Sequence, residues 1–169
     1  MLNIKNKIKM VVSDFDGIFT DGTITINHDG STSKTLSYMD IMAVSMLIKN
    51  GYKIAIISGE KSSAIDYLAN KFDIADVYQD IRIKAPVLQS IMEKYSLKPS
   101  DVAYIGDDFN DIDSLNSVEN RFTVPNSNYR VKNVPNIQIQ LKILQNLLQI
   151  LNLCFCYYFS CFISLQNKF

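Results

Sequence analysis

At 169 residues and 47% hydrophobic content, the chain is long enough to bury one sizeable core and too short for a second complete domain. Lys plus Arg and Asp plus Glu both number 17, which excludes the broad positive field that draws proteins to nucleic acid or to anionic membrane, so any electrostatic function is local. Cys154, Cys156 and Cys161 all fall near the C-terminus, an odd number that argues against a disulfide framework, and the opening MLNIKNKIKM lacks the apolar stretch and cleavage site of a signal peptide, so a cytoplasmic chain is expected.

Residues 8–13, IKMVVS, form a short apolar run before a glycine-bearing turn, which predicts a buried parallel strand. The acidic turn that follows leads into TITINHDGSTSKTLSY, where apolar and polar residues alternate on either side of NHDG; this predicts a hairpin closed near Asp29-Gly30. DIMAVSMLIKN predicts a helix with Ile41, Val44, Leu47 and Ile48 on one stripe, begun by Asp40 and stopped at Gly51. YKIAIIS is a second buried strand, and GEKSSAIDYLANKF a helix with Ile65, Leu68 and Phe72 at helical spacing. A short strand near DVYQ precedes the helix KAPVLQSIMEKYSL, whose Pro86 falls in the first turn. DVAYIGDD is a third strongly apolar strand, DIDSLNSV a short helix and RFTVPN a fifth strand. Strand and helix alternate, so the expected architecture is α/β: a Rossmann-like parallel sheet with helices on both faces, a small β-hairpin inserted after the first strand, and no large cap.

The chemistry-bearing residues sit where this architecture binds ligands, beyond the carboxyl ends of the strands. Three apolar strands end in Asp14-x-Asp16, in Ser58-Gly59 and in Gly106-Asp107-Asp108, and Lys84 opens a helix at the same edge. Carboxylates converging with a lysine and a hydroxyl suit a hard divalent cation and a phosphate, Mg²⁺ being the cation that takes few protein carboxylates and keeps positions for phosphate oxygens. Such a cation relieves the repulsion within DFDGIFTDG and keeps a carboxylate ionised as a nucleophile towards phosphorus.

DFDGIFTDG, IISGEK, Lys84 and YIGDDFND, in this order and on these elements, resemble the four motifs of the haloacid dehalogenase superfamily of phosphohydrolases. They resemble most its branch of octulosonate 8-phosphate phosphatases, nonulosonate 9-phosphate phosphatases and the phosphatase-like domain of acylneuraminate cytidylyltransferases. The likeness runs from about residue 8 to about residue 137 and includes the hairpin. It implies Asp14 as the nucleophile that becomes an aspartyl-phosphate, Asp16 as general acid and then base, Ser58 and Lys84 as phosphoryl-binding groups, and a Mg²⁺ site made by Asp14, the Asp16 carbonyl and Asp107. Gly59, Asp108 and Asp111 would support these groups. Glu60 and Lys71 match the nonulosonate type, where octulosonate phosphatases more often carry arginine at the Glu60 position, while Leu68 departs from that type; Asp40 would lie near the substrate entrance. The resemblance further implies a phosphorylated sugar acid as substrate and a homotetramer assembled through the hairpins.

Plainer roles compete for individual residues: Asp14 and Asp16 as turn formers, Ser58 and Asp40 as helix caps, Lys84, Glu60 and Lys71 as solvated side chains, and His28 as a solvated turn residue. Two other readings stay open, a scaffold that keeps the fold without turnover and a phospho-receiver domain, although a receiver would carry its acceptor aspartate on the third strand. The phosphatase-like domain is expected over 1–140. Beyond it, 141–169 has no charge between Lys142 and Lys168, where the resembling family would have a glycine-rich segment and a final amphipathic helix. A sticky apolar tail is expected there in preference to a membrane span, since Gln145, Asn146, Gln149 and Asn152 interrupt it, and a shift of reading frame near residue 138 is the favoured origin. Downstream DNA encoding no glycine-rich continuation in either other frame would sink that origin.

Overall fold

The computed structural model describes residues 8–139. The chain starts on β1 (Met10–Ser13), whose four residues are all buried. It crosses the hairpin β2 (Thr25–Ile26) and β3 (Thr32–Ser33), then α1 (Tyr38–Lys49), β4 (Lys53–Ile57), α2 (Ser63–Phe72), β5 (Asp76–Tyr78) and α3 (Ala85–Lys94). β6 (Val102–Ile105), α4 (Ile112–Asn116), β7 (Asn120–Thr123), α5 (Tyr129–Lys132) and β8 (Gln138–Ile139) complete it. The six-stranded sheet has the order β5-β4-β1-β6-β7-β8, and every pairing in it is parallel. This is the expected α/β sheet with one strand more than the sequence indicates, since β8 adds an edge.

Alternation along each strand divides the core. Val11, Ile54, Ile56, Ala103 and Ile105 face one layer with Ala43, Val44 and Leu47 of α1 and Ile65 and Leu68 of α2. Met10, Val12, Ala55, Ile57, Val102 and Tyr104 face the other, against Leu88, Ile91 and Met92 of α3 and Leu115 of α4. Because both faces are covered, these strands read as continuous apolar runs.

Helix starts differ from those expected. α1 is capped by Ser37, whose hydroxyl accepts from the Met39 N–H at 3.2 Å; Asp40 lies within the first turn and is not the cap. The buried stripe of α1 is Ala43, Val44 and Leu47, while Ile48 faces outward at 37% exposure. α2 begins later than its apolar spacing suggests because Ser62, not Ser58, caps it by accepting from the Ala64 N–H. Pro86 does fall in the first turn of α3.

The hairpin is a two-stranded antiparallel ribbon with only two pairs. Its turn is held by the Gly30 N–H donating to the Asn27 carbonyl at 2.9 Å, with Gly30 at a φ of 81° that glycine adopts without strain. His28 at the turn is exposed. Among the described residues this hairpin is the only regular structure between β1 and α1, so no large cap covers the carboxyl edge of the sheet. No helix of the described residues is long and apolar enough to cross a membrane. The expectations for the tail, including Cys154, Cys156 and Cys161, lie outside the described residues.

At the sheet edge, buried Asp76 accepts from Lys94 Nζ at 2.6 Å and from the Tyr95 hydroxyl. Burial pushes its carboxyl up, but the bonds from Lys94 and Tyr95 outweigh this and hold it below the ordinary value of 3.8. A depressed folded value contributes stability that is complete above the unfolded value and drains away as the pH falls through the folded one. Asp76→Asn is therefore expected to lower stability at pH 7 by roughly 1–2 kcal/mol, Lys94 lying largely in solvent where screening limits its share. Urea midpoints of the two proteins should converge below the carboxylate range; a gap that stays constant into acid would refute the assignment.

Candidate active site

The strand order reverses around β1, with β4 on one side and β6 on the other. Asp14 follows β1, Ser58 follows β4, and Gly106 and Asp107 follow β6, so adjacency in the sheet gathers their side chains at one edge. Asp14 is fixed through its backbone, its N–H donating to the Ile105 carbonyl at 2.8 Å.

Lys84 joins them from the residue preceding α3. It is fully buried, with Nζ 2.8 Å from Asp14 Oδ1 and 2.9 Å from Asp111 Oδ1. Asp111 is itself saturated. Its Oδ1 also accepts from the Tyr104 hydroxyl at 2.7 Å, and its Oδ2 accepts from the backbone N–H groups of Asp107 at 3.1 Å and Asp108 at 3.2 Å. Asp111 thus anchors both the lysine and the loop that carries Asp107.

Oxygens of Asp14, Asp107 and Asp111 lie within 4.8 Å of one another, and the electrostatics register the crowding. Burial first, and then the charge of Asp111, raise Asp14 well above its usual value against the pull of Lys84. Burial, Asp111 and Asp108 push Asp107 up to about 6. Burial lowers Lys84, yet Asp14 and Asp111 more than reverse this and leave it raised, hence charged. A cation placed among these carboxylates would favour their ionised forms.

Asp16 lines the same cavity, and its carboxylate is held through both oxygens by Lys34 Nζ at 2.7 and 2.6 Å. The lysine is nearly buried and the aspartate about one-third exposed. The DFDGIFTDG turn is tied by Thr20, whose hydroxyl accepts from the N–H groups of Gly17 and Gly22, each at 3.2 Å. Gly17, at a φ of 74°, is required for space as well: a Cβ there would lie 1.9 Å from Asp107 Oδ2. At Gly106 a Cβ would meet Asp111 Cγ at 2.4 Å.

The cavity measures about 760 Å³ and is lined by Asp14, Asp16, Gly59, Glu60, Asp107 and Asp108, together with Arg82, Phe109 and the amides of Asn110, Asn126 and Asn128. Ser58, fully buried and next in the chain to the lining residue Gly59, has its hydroxyl accepting from the Glu60 N–H at 3.1 Å. Of the residues singled out in the sequence, Asp14, Asp16, Ser58, Lys84, Asp107, Asp108, Asp111, Gly59 and Glu60 come together here. Asp40 lines an adjoining cavity of about 660 Å³ on the side of Thr35 and Ser37. Lys71 stays outside both, exposed on α2 with its Nζ 5.5 Å from the Tyr67 ring centroid. The sequence reading missed Lys34, Tyr104, Thr20 and Arg82; the first two reach the site by contacts that no local spacing announces, whereas Arg82, two residues before Lys84, had a positional signal.

The model of the haloacid dehalogenase-like hydrolases matches residues 28–118. The 3-deoxy-D-manno-octulosonate 8-phosphate phosphatase of Salmonella typhi is 28% identical over 104 residues, 62% of this chain and 55% of the relative. That of Yersinia pestis is 30% identical over the same length, 62% and 56% of the two chains. The chain thus matches about half the length of these curated relatives. Among solved structures, the Moraxella catarrhalis 3-deoxy-D-manno-octulosonate 8-phosphate phosphatase, complexed with magnesium, phosphate and KDO, is 26% identical with a TM-score of 0.82, covering 97% of this chain and 98% of its own. A probable YrbI-family phosphatase of Pseudomonas syringae is 28% identical with a TM-score of 0.85, covering 96% of each chain. With more than half its residues inside the family match and its sheet shared with these structures, the chain belongs to the haloacid dehalogenase-like hydrolases.

Proposed function

We propose that the chain is a Mg²⁺-dependent phosphomonoesterase that hydrolyses a keto-sugar-acid phosphate, a nonulosonate 9-phosphate or an octulosonate 8-phosphate, through an aspartyl-phosphate on Asp14. The observation that carries this reading is the direct contact of Asp14 with buried Lys84, 2.8 Å apart, beside the carboxylate of Asp107 at the mouth of the sheet. The named relatives act on octulosonate 8-phosphate, while Glu60 in the cavity wall favours the nonulosonate type.

The donor set fits the metal. Only hard oxygens meet there, and since Asp111 is saturated by protein donors, Asp14 and Asp107 with the Asp16 carbonyl are the groups that would hold Mg²⁺. When bound, Mg²⁺ supplies charge neutralisation at the phosphoryl oxygens. A carboxylate oxygen of Asp14 attacks phosphorus while the bond to the sugar oxygen breaks, and Asp16, entering this step as the carboxylic acid with one oxygen turned from Lys34 to the leaving oxygen, gives that oxygen its proton. Asp16 then takes a proton from water as the water oxygen attacks phosphorus, breaking the bond to Asp14 and releasing inorganic phosphate. Ser58, whose hydroxyl accepts from Glu60 N–H, keeps its own proton to donate to a phosphoryl oxygen. Lys84 holds the nucleophile and faces the phosphoryl charge, and Lys34 fixes the direction of the Asp16 carboxylate.

Assembly through the hairpin belongs to the same reading. Ile24 and Ile26 of the hairpin and Tyr38, Met39 and Met42 of α1 are exposed, Ile26 at 70% and Tyr38 at 88%, more apolar side chains than one short segment ordinarily leaves in water. A homotetramer in which copies of the hairpin cover one another would bury them. A cytoplasmic location is part of the proposal, since highly charged sugar phosphates do not cross membranes unaided.

Phosphate release from octulosonate 8-phosphate, N-acetylneuraminate 9-phosphate and p-nitrophenyl phosphate tests the reaction. Turnover is expected with Mg²⁺, falling below about a thousandth in Asp14→Asn; release that survives in the variant would sink the aspartyl-phosphate. Gly17→Ala drives its methyl into Asp107 and should weaken Mg²⁺ binding roughly 10- to 100-fold in calorimetry, with the fold retained by circular dichroism. Lys34→Met should lower turnover of the sugar phosphates by about tenfold or more and that of p-nitrophenyl phosphate much less, because a good leaving group needs little help from an acid. Equal losses on both would remove Lys34 from the orientation of Asp16.

A further inference from the structure

The positive charges around the cavity are unequally engaged. Lys84 is paired with Asp14 and Asp111, and Lys34 with Asp16. Arg130 lies with its Cζ 5.1 Å from the Phe109 ring centroid and its Nε on the Tyr129 hydroxyl. Arg82 differs from all three: it lines the cavity, is exposed, and among the described residues makes no ion pair or hydrogen bond through its side chain.

Its backbone is nevertheless fixed. The Ile81 N–H donates to the Ser58 carbonyl at 3.0 Å, and Asp80 before it holds a φ of 61°, a left-handed conformation that is uncommon for a residue with a side chain and persists where its surroundings impose it. The segment between β5 and α3 is therefore pinned to the strand end that bears Ser58, and it presents Arg82 to the cavity two residues before Lys84.

Depth decides which anion such a side chain meets. The phosphoryl group must descend to buried Asp14 and Lys84, whereas exposed Arg82 stands at the rim. Asp16, Glu60, Asp107 and Asp108 make the rest of the lining acidic, suited to sugar hydroxyls and hostile to a second anion. A keto-sugar-acid phosphate carries that second anion, its carboxylate, at the opposite end of the carbon chain, and a guanidinium matches a carboxylate through two parallel hydrogen bonds. Resting on the phosphatase reading, we infer that Arg82 binds the substrate carboxylate and sets the preference for acidic over neutral phosphate esters.

The test compares wild type, Arg82→Met and Arg82→Lys on octulosonate 8-phosphate, N-acetylneuraminate 9-phosphate and p-nitrophenyl phosphate at saturating Mg²⁺. For Arg82→Met, the ratio of kcat/KM on the better sugar acid to that on p-nitrophenyl phosphate should fall roughly 10- to 100-fold, carried by KM, because a charged hydrogen-bonding partner is lost. Arg82→Lys should recover part of it. An unchanged ratio overturns the inference, whether both substrates suffer alike, as they would if Arg82 served the phosphoryl group, or neither does. Should the wild type hydrolyse none of the three esters, the phosphatase reading falls separately, and calorimetry with free 3-deoxy-octulosonate and Mg²⁺ judges Arg82. Binding weakened by a similar factor in Arg82→Met sustains the inference, and equal binding, or none by the wild type, overturns it.

Discussion

The rest of the structure depends on the burial of one ammonium between two carboxylates. Lys84 contributes a side chain with no exposure, held between Asp14 and Asp111, which are themselves 8% and 0% exposed. Removing one member of such a group leaves an uncompensated buried charge, at a cost of about 3–5 kcal/mol, although the intact group need not outperform apolar packing. Its presence is therefore better explained by chemistry than by stability. The same three residues tie together the end of β1, the start of α3 and the turn after β6, so these three segments hold one another in place.

Tyr104 shows how far this constraint reaches into the core. Its ring packs with Val12, Ile57 and Leu88, while its hydroxyl donates to Asp111 at 2.7 Å. Burial first, and then the Asp111 charge, push that hydroxyl well above the usual range for a phenol, so it remains a donor throughout the pH range of a folded protein. Gly106 completes the arrangement by leaving room for Asp111, and its carbonyl accepts from the Thr123 hydroxyl at 2.7 Å, which couples β7 to the same loop. The anchoring aspartate is thereby fixed from the core side as firmly as from the cavity side.

What the sequence made legible follows from the range of the forces involved. β1, β4 and β6 were readable because strands covered on both faces need unbroken apolar residues, and the acidic and glycine-rich turns because they follow those strands directly. Helix starts were less legible. Several Ser and Asp side chains near each start could serve as caps, and the choice of Ser37 and Ser62 depends on where the incoming chain leaves the hairpin or β4. β8 was unreadable as a strand, since two residues at a sheet edge carry no periodicity. Lys34 was missed because an ion pair across 18 positions leaves no pattern at either end, and for Asp40 the spacing leaves open both a cap and a place near the substrate entrance; Ser37 fills the cap and Asp40 lines the adjoining cavity.

The hairpin links these levels. Two strands of two residues each are too few to hold a ribbon in water by their own pairing, yet this ribbon leads directly into Lys34, which lies against Asp16 with 8% of its side chain exposed. The ribbon also carries Ile24 and Ile26 into solvent. A contact that covers those isoleucines would reduce the freedom of the whole segment, and with it the freedom of the lysine that orients Asp16. On the proposed assembly, packing between copies and orientation of Asp16 are consequently two effects of one short ribbon, and a monomer would retain Asp14 and Lys84 in place while loosening Asp16.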